Sequence, residues 1–267
     1  MLRVTQYISD PGVGVNMDRI WYDEDTLVVL DGSTSLLPQK YDGNWFASNL
    51  IALFAERSEQ GMPLPEAVNT ALDLMYQEYR SDSQPTSCAY YPSAAGIFVR
   101  REGDWLQILN IGDCSGYFFL KNGNCMKITD PSVKKLDDGV LDRCMELRQS
   151  SGATVAELLK TEEIRSLLLA NRQKMNRPDG YRILSFGMKP CEESDLIRLP
   201  ADLVERLVLF SDGFDEVQDA FLGDVVLTEL RDLLREQQAG DPGFLRWPRL
   251  KSGDDASAII AAETGAL

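Results

Sequence analysis

The chain has 267 residues, 44% of them hydrophobic, a formal charge of −15, and no histidine. This length can bury a substantial core, the charge would repel a phosphate backbone and argues against a nucleic-acid partner, and no apolar run approaches the roughly 20 residues of a membrane helix. Without histidine, Ser-His-Asp and Cys-His catalysis, phosphohistidine chemistry and His-bearing zinc or non-haem iron sites fall away, leaving carboxylate chemistry. In chain order, 2–8, 19–22 and 26–31 read as strands. Phe46, Leu50, Leu53 and Phe54 then recur at helical spacing, as do Val68, Ala71, Leu72, Met75 and Tyr79 in a second helix opening at Pro63-Leu64-Pro65. Segments 94–101, 105–111 and 116–120 form a meander with turns at Glu102-Gly103-Asp104 and 121–124. The region 133–174 is helical again, with a capping box at Thr154 and Glu157, and Asn176 to Gly180 form a turn that ends it. Strands are expected at 181–186, 194–199 and 206–211, a helix at 225–237 and a last strand at 256–262. No linker or repeat divides the sequence, so it reads as one α+β domain over 1–267, with strands stacked between helical layers.

Five cysteines (Cys88, Cys114, Cys125, Cys144, Cys191) include no Cys-x-x-Cys pair, so neither a zinc ribbon nor a redox pair is supported. Their odd number and the absence of a signal peptide lead us to expect reduced thiols and a cytoplasmic protein; most read as small buried hydrophobes.

Four acidic signatures stand at the edges of strand-like runs. Asp31-Gly32 follows 26–30, Asp113 follows 108–112, Asp212-Gly213 follows 207–211, and Asp254-Asp255 precedes 256–260. An Asp at the end of a strand is held in place yet reaches the solvent edge of a sheet, where hard cations can be collected. Asp-Gly alone is also a common turn signal. Two such pairs in a histidine-free chain favour a shared site, since carboxylates holding two divalent cations about 3.5–4 Å apart create a water that can be deprotonated near neutral pH.

Asn16-Met17-Asp18, Asp31-Gly32, Gly112-Asp113-Cys114, Ser211-Asp212-Gly213 and Asp254-Asp255-Ala256-Ser257 resemble, in order and rough spacing, the motifs of the type 2C metal-dependent protein phosphatases, the PPM family, over nearly the whole chain. The resemblance implies a four-layer α/β/β/α sandwich of two antiparallel sheets, with two or three Mn2+ or Mg2+ ions and hydrolysis of phosphoserine or phosphothreonine in a phosphoprotein substrate by a metal-bridging water. By that resemblance Asp31 is the bridging carboxylate and Gly32 supplies its carbonyl. Asp212 and Asp254 hold the other ion, Asp113 a third, and Asp18 orders metal-bound waters. The helical segment 133–180 takes the place of the family's flap beside the active site. An all-oxygen ligand set suits Mg2+ or Mn2+ rather than zinc.

The sequence departs from the family pattern at three positions. Met17 replaces the acid before Asp18, Val13 stands where many members have a phosphate-binding Arg, and Ser33 follows Gly32 where relatives carry a His. Arg19 and Arg177 are the candidates to hold phosphate, although Arg19 reads equally as a solvated strand residue. Segment 133–180 contains Lys134, Lys135, Arg143, Arg148, Arg165, Arg172, Lys174 and Arg177, which are interleaved with acids and read either as a charged helix face or as a surface for a phosphorylated or acidic partner. Two alternatives follow. One is a degenerate phosphatase fold serving as a binding module. The other is a haloacid-dehalogenase-type enzyme with Asp31 as nucleophile, which Ser33 disfavours because a second Asp belongs there.

Overall fold

The apolar run 27–30 is unbroken because the strand it forms is buried on both faces. Leu27 and Val29 of β3 (Thr26–Gly32) join one core, Val28 and Leu30 another, and none of the four is accessible to solvent. The structure, a computed structural model, describes residues 1–35, 39–82 and 90–264; Cys88 lies outside these residues.

One sheet runs in the order β1 (Leu2–Asp10), β11 (Ala256–Glu263), β10 (Val204–Phe210), β6 (Ser115–Leu120) and β7 (Cys125–Ile128). The other runs β2 (Arg19–Tyr22), β3, β4 (Ser93–Glu102), β5 (Trp105–Ile111) and β9 (Ile197–Pro200), with β8 (Leu184–Ser185) beside β4. Every pairing between these strands is antiparallel. Between the sheets, Leu27, Val29, Ile97 and Ile108 meet Phe118, Leu207, Leu209 and Ile259. On the outer side of β3 and β4, Phe46, Leu50 and Phe54 of α1 (Gly43–Glu59) and Val68 and Leu72 of α2 (Leu64–Asp82) cover Val28, Leu30 and Phe98. Asp42 caps α1 by accepting from the Trp45 N–H at 2.9 Å. On the opposite side, Phe214 and Phe221 of a 3₁₀ segment (Asp212–Leu222) and Leu230 and Leu234 of α6 (Leu227–Ala239) cover Val208, Phe210 and Ile260. Each such large side chain contributes roughly 1.5–3 kcal/mol by leaving water. The architecture is the α/β/β/α sandwich expected from the sequence.

Several elements differ in extent from the sequence reading. The expected strand at 181–186 shrinks to β8, and the one at 194–199 opens with a 3₁₀ turn (Glu193–Asp195) before β9. β7 and the 3₁₀ segment after Asp212 were not expected. Region 133–174 splits into α3 (Ser132–Ser151), α4 (Val155–Leu158) and α5 (Glu162–Arg172), and the Thr154 box forms, with Glu157 accepting from the Thr154 N–H at 2.8 Å. These helices gather a core of their own, Val140, Cys144, Val155, Leu158 and Ile164, onto which Phe244 and Leu250 of the α6–β11 connection pack. Among the described residues, Cys114, Cys144 and Cys191 are buried free thiols, Cys125 is exposed, and no helix is long and apolar enough to cross a membrane.

Candidate metal centre

Strand register brings the acidic motifs together. At the end of β3, Leu30 pairs with Arg19, Asp31 with Ala95 and Gly32 with Ala94, so the start of β2, the end of β3 and the start of β4 share one edge. In the other sheet, Phe210 at the end of β10 lies opposite Ala258 of β11 and Ser115 of β6. Asp18 precedes β2, Asp31 ends β3, Asp212 follows β10 and Asp254 precedes β11. Asp113 sits where the chain passes from β5 in one sheet to β6 in the other. All five therefore stand at the same edge of the sandwich. A Cβ on Gly32 would lie 2.6 Å from the Met17 carbonyl oxygen and 2.8 Å from that of Gly43, so only glycine allows this close packing.

Asp31, Asp113 and Asp212 line one cleft of about 260 Å3, and Asp254 lines the adjoining one together with Asp113 and Asp212. Burial is the main cause that pushes the Asp31 carboxyl well above the usual carboxylate range, with the charges of Asp18 and Asp254 adding to it. Burial does the same to Asp212, helped by Asp31 and Asp254, and to Asp113, helped by Asp212. Asp31, Asp113 and Asp212 are half-buried rather than sealed, so solvent moderates the effect without reversing its direction. Asp18 is 1% exposed and is raised to about 8, again chiefly by burial. Its Oδ2 accepts from the Ser211 hydroxyl at 2.7 Å while its Oδ1, like Oδ1 of Asp212, is buried with no partner. Asp255 has a different task, since its carboxylate accepts from the N–H groups of Gly12 (2.8 Å) and Met17 (2.6 Å) and ties the loop before β2 to β11.

These residues fit a hard divalent cation. Orphaned carboxylate oxygens and mutually repelling buried acids are what such an ion would satisfy, and every donor is oxygen. Among the described residues the side chains do not close into a ready shell of three ligands; the acids lie near one another, and their neighbourhood includes a lysine. Lys251 donates to Asp254 Oδ1 at 2.7 Å and lines the same clefts. Although burial opposes it, the charges of Asp254, Asp212 and Asp31 hold its ammonium above the ordinary lysine range.

The two arginines expected to hold phosphate lie elsewhere. The Arg19 guanidinium donates to Ser48 Oγ (2.9 Å), to the carbonyls of Asn16 (2.8 Å) and Asp18 (2.6 Å), and to Asn44, which uses it to pin β2 to α1. Arg177 is exposed and is not among the residues lining the cleft. Arg172 does enter it, from the last turn of α5. Its guanidinium donates to the Thr34 carbonyl (2.7 Å) and Ser93 Oγ (3.2 Å), both neutral acceptors. Asp137 of α3 faces the same space and is raised to about 6 by burial. Ser33 Oγ accepts from Ser93 Oγ at 3.0 Å, an arrangement that joins β3 to β4. The sequence reading singled out neither Arg172 nor Asp137, and it overlooked Lys251, whose one signal was its place three residues before Asp254.

The solved structures that share this four-layer sandwich include bacterial serine/threonine phosphatases. The Mycobacterium tuberculosis serine/threonine phosphatase PstP/Ppp matches with a TM-score of 0.58 at 18% identity, over 98% of each chain. The PstP catalytic domain in complex with two manganese ions matches at 0.57 and 17%, over 98% of this chain and 99% of that one. Staphylococcus aureus Stp1, a serine/threonine phosphatase, matches at 0.55 and 14%, over 98% and 96%. No family model matches the sequence, and neither does any curated protein. At these identities the likeness establishes the fold, which is that of the type 2C metal-dependent (PPM) phosphatases.

Proposed function

We propose that this chain is a metal-dependent phosphatase of phosphoserine and phosphothreonine in proteins. The observation that carries the reading is the meeting of Asp31, Asp113 and Asp212 in a cleft that also holds the Arg172 guanidinium. Asp31, the Gly32 carbonyl, Asp212 and Asp254 would hold two Mn2+ or Mg2+ ions, with Asp113 for a third, and the bound ions would supply an acidified water and positive charge for the phosphoryl oxygens. The remaining work falls to this chain's own side chains. Arg172, presented through neutral contacts and so still able to turn toward an anion, would grip two phosphate oxygens in a planar fork, a role the Val13 side chain cannot perform. Asp18, fixed by Ser211, offers its free Oδ1 to orient water at the centre. Ser33 is engaged with Ser93 and is not assigned proton transfer. The location that goes with this reading is the cytoplasm.

The pairing of Lys251 with Asp254, together with Met17, favours a second reading, a phosphatase fold kept as a binding module. Assay of p-nitrophenyl phosphate and a phosphothreonine peptide with Mn2+, Mg2+ or EDTA separates the two. Turnover that requires metal and disappears in Asp212→Asn supports the enzyme. Absence of metal-dependent turnover in the unaltered protein overturns it in favour of the binding module. An aspartyl-phosphate trapped on Asp31 would point instead to nucleophilic catalysis.

A further inference from the structure

Lys251 adds a property that four carboxylates alone would lack. Its ammonium is bonded to Asp254 Oδ1, the same oxygen that also accepts the Asp255 N–H at 3.0 Å, and it lines the cleft shared with Asp31 and Asp212. The two ends of this contact differ in freedom. Asp254 is anchored through its backbone, since its carbonyl accepts from Arg235 at 3.0 Å and Arg235 is itself paired with Asp10 at 2.8 Å. Lys251 follows Leu250, which packs against the α3–α5 core, and its side chain is 39% exposed on a flexible four-carbon stem. The movable partner is therefore the ammonium. A lysine head and a divalent ion both seek the Asp254 carboxylate, and two cations in contact there would repel each other.

We propose that Lys251 is a built-in competitor for the metal centre, holding Asp254 whenever no divalent ion does and leaving it when one binds. The proposal rests on the reading of Asp31, Asp212 and Asp254 as metal ligands. Its consequence is a centre whose Asp254 is paired without metal and which needs a higher concentration of free Mn2+ or Mg2+ to fill. The protein would thereby respond to divalent-cation supply through one side chain.

The test is calorimetric titration of the full chain with MnCl2, alongside thermal melts in EDTA, for the unaltered protein, Lys251→Met and Lys251→Arg. Lys251→Met keeps the apolar stem and removes the charge. It is expected to bind Mn2+ at least about tenfold more tightly, an effect set by the loss of one partly screened like charge, and to melt at a lower temperature in EDTA. Should it fold only with Mn2+ present, that dependence is the same result in stronger form. Lys251→Arg, which retains the charge, is expected to stay within about threefold of the unaltered protein. Mn2+ binding to Lys251→Met that is no tighter than to the unaltered protein overturns the competition while leaving the metal centre standing. Failure of all three proteins to bind Mn2+ overturns both.

Discussion

The two sheet edges and the region formed by α3–α5 with the α6–β11 connection line one cleft, the edges with carboxylates and the helical region with Arg172 and Lys251 beside one acid of its own, Asp137. The edges supply Asp18, Asp31, Asp113, Asp212 and Asp254 on strand termini fixed by paired registers. The helical region supplies Arg172, and the connection packed on it supplies Lys251. The acids are held by the main sandwich core, the cations by a separate small cluster around Cys144 and Ile164. On the function proposed above, the strand edges would carry the identity of the centre, whereas substrate grip and metal affinity would be set from the smaller helical cluster.

The largest loss is expected at the strand edges. Asp212→Asn is expected to lower phosphopeptide hydrolysis about a thousandfold or more, as loss of a metal ligand does, while its melting temperature in EDTA stays level or rises because one repelling charge is gone. A fall in both would recast Asp212 as a structural residue. On the helical half, Arg172→Ala is expected to reduce kcat/KM about a hundredfold, mostly through KM, from loss of a bidentate phosphate contact. Mn2+ affinity, read by calorimetry, should not follow, and parallel losses would show that α5 merely supports the acids.

The acids should also mark the pH dependence of stability. Asp18 titrates near 8 in the folded chain against an ordinary value of 3.8, so its burial carries no penalty below about pH 4 and a growing one as pH rises through 8. Asp31, Asp113 and Asp212 shift in the same direction. Thermal melts in EDTA should therefore fall between about pH 4 and 8, and saturating Mn2+ should flatten the fall; a melting temperature that rises over this interval in EDTA would contradict the electrostatics. Gly32→Ala should cost roughly 1–3 kcal/mol in urea unfolding, because the new Cβ meets the Met17 and Gly43 carbonyls. The smallest effect is expected of Met17→Glu. Met17 lies against Gly32, and an acid there should tighten Mn2+ binding by a few-fold; unchanged affinity would place position 17 outside the influence of the centre.

What could be read in the sequence follows the same division. The run 27–30 announces a strand buried on both faces, and an Asp-Gly at its end is visible because strand and turn are both local signals. The layers follow from the apolar spacing of Phe46, Leu50 and Phe54 and from that of Val68, Leu72 and Met75. β7 escapes notice because Cys125–Ile128 is only four residues long, too short for its alternation to stand out, and is stabilised by pairing with β6. The 3₁₀ segment escapes because Asp212-Gly213 carries a turn signal that the packing of Phe214 and Phe221 then extends. Arg172 looks like the other basic residues of 133–180 until the docking of α5 places it beside Thr34, 138 positions away in sequence. The contacts of Arg19 are equally hidden, since its partners Ser48 and Asn44 come from a helix that the strand sequence does not announce. Tertiary placement of single long side chains leaves no periodic trace.

The most direct measurement is hydrolysis of a phosphothreonine peptide as free Mn2+ is raised from zero, with Asp212→Asn in parallel. Saturable turnover in the unaltered protein, absent in EDTA and abolished by the substitution, is the predicted result. Equal turnover with and without metal, or none at any Mn2+ concentration, would contradict the assignment of these strand-edge carboxylates to a catalytic metal centre.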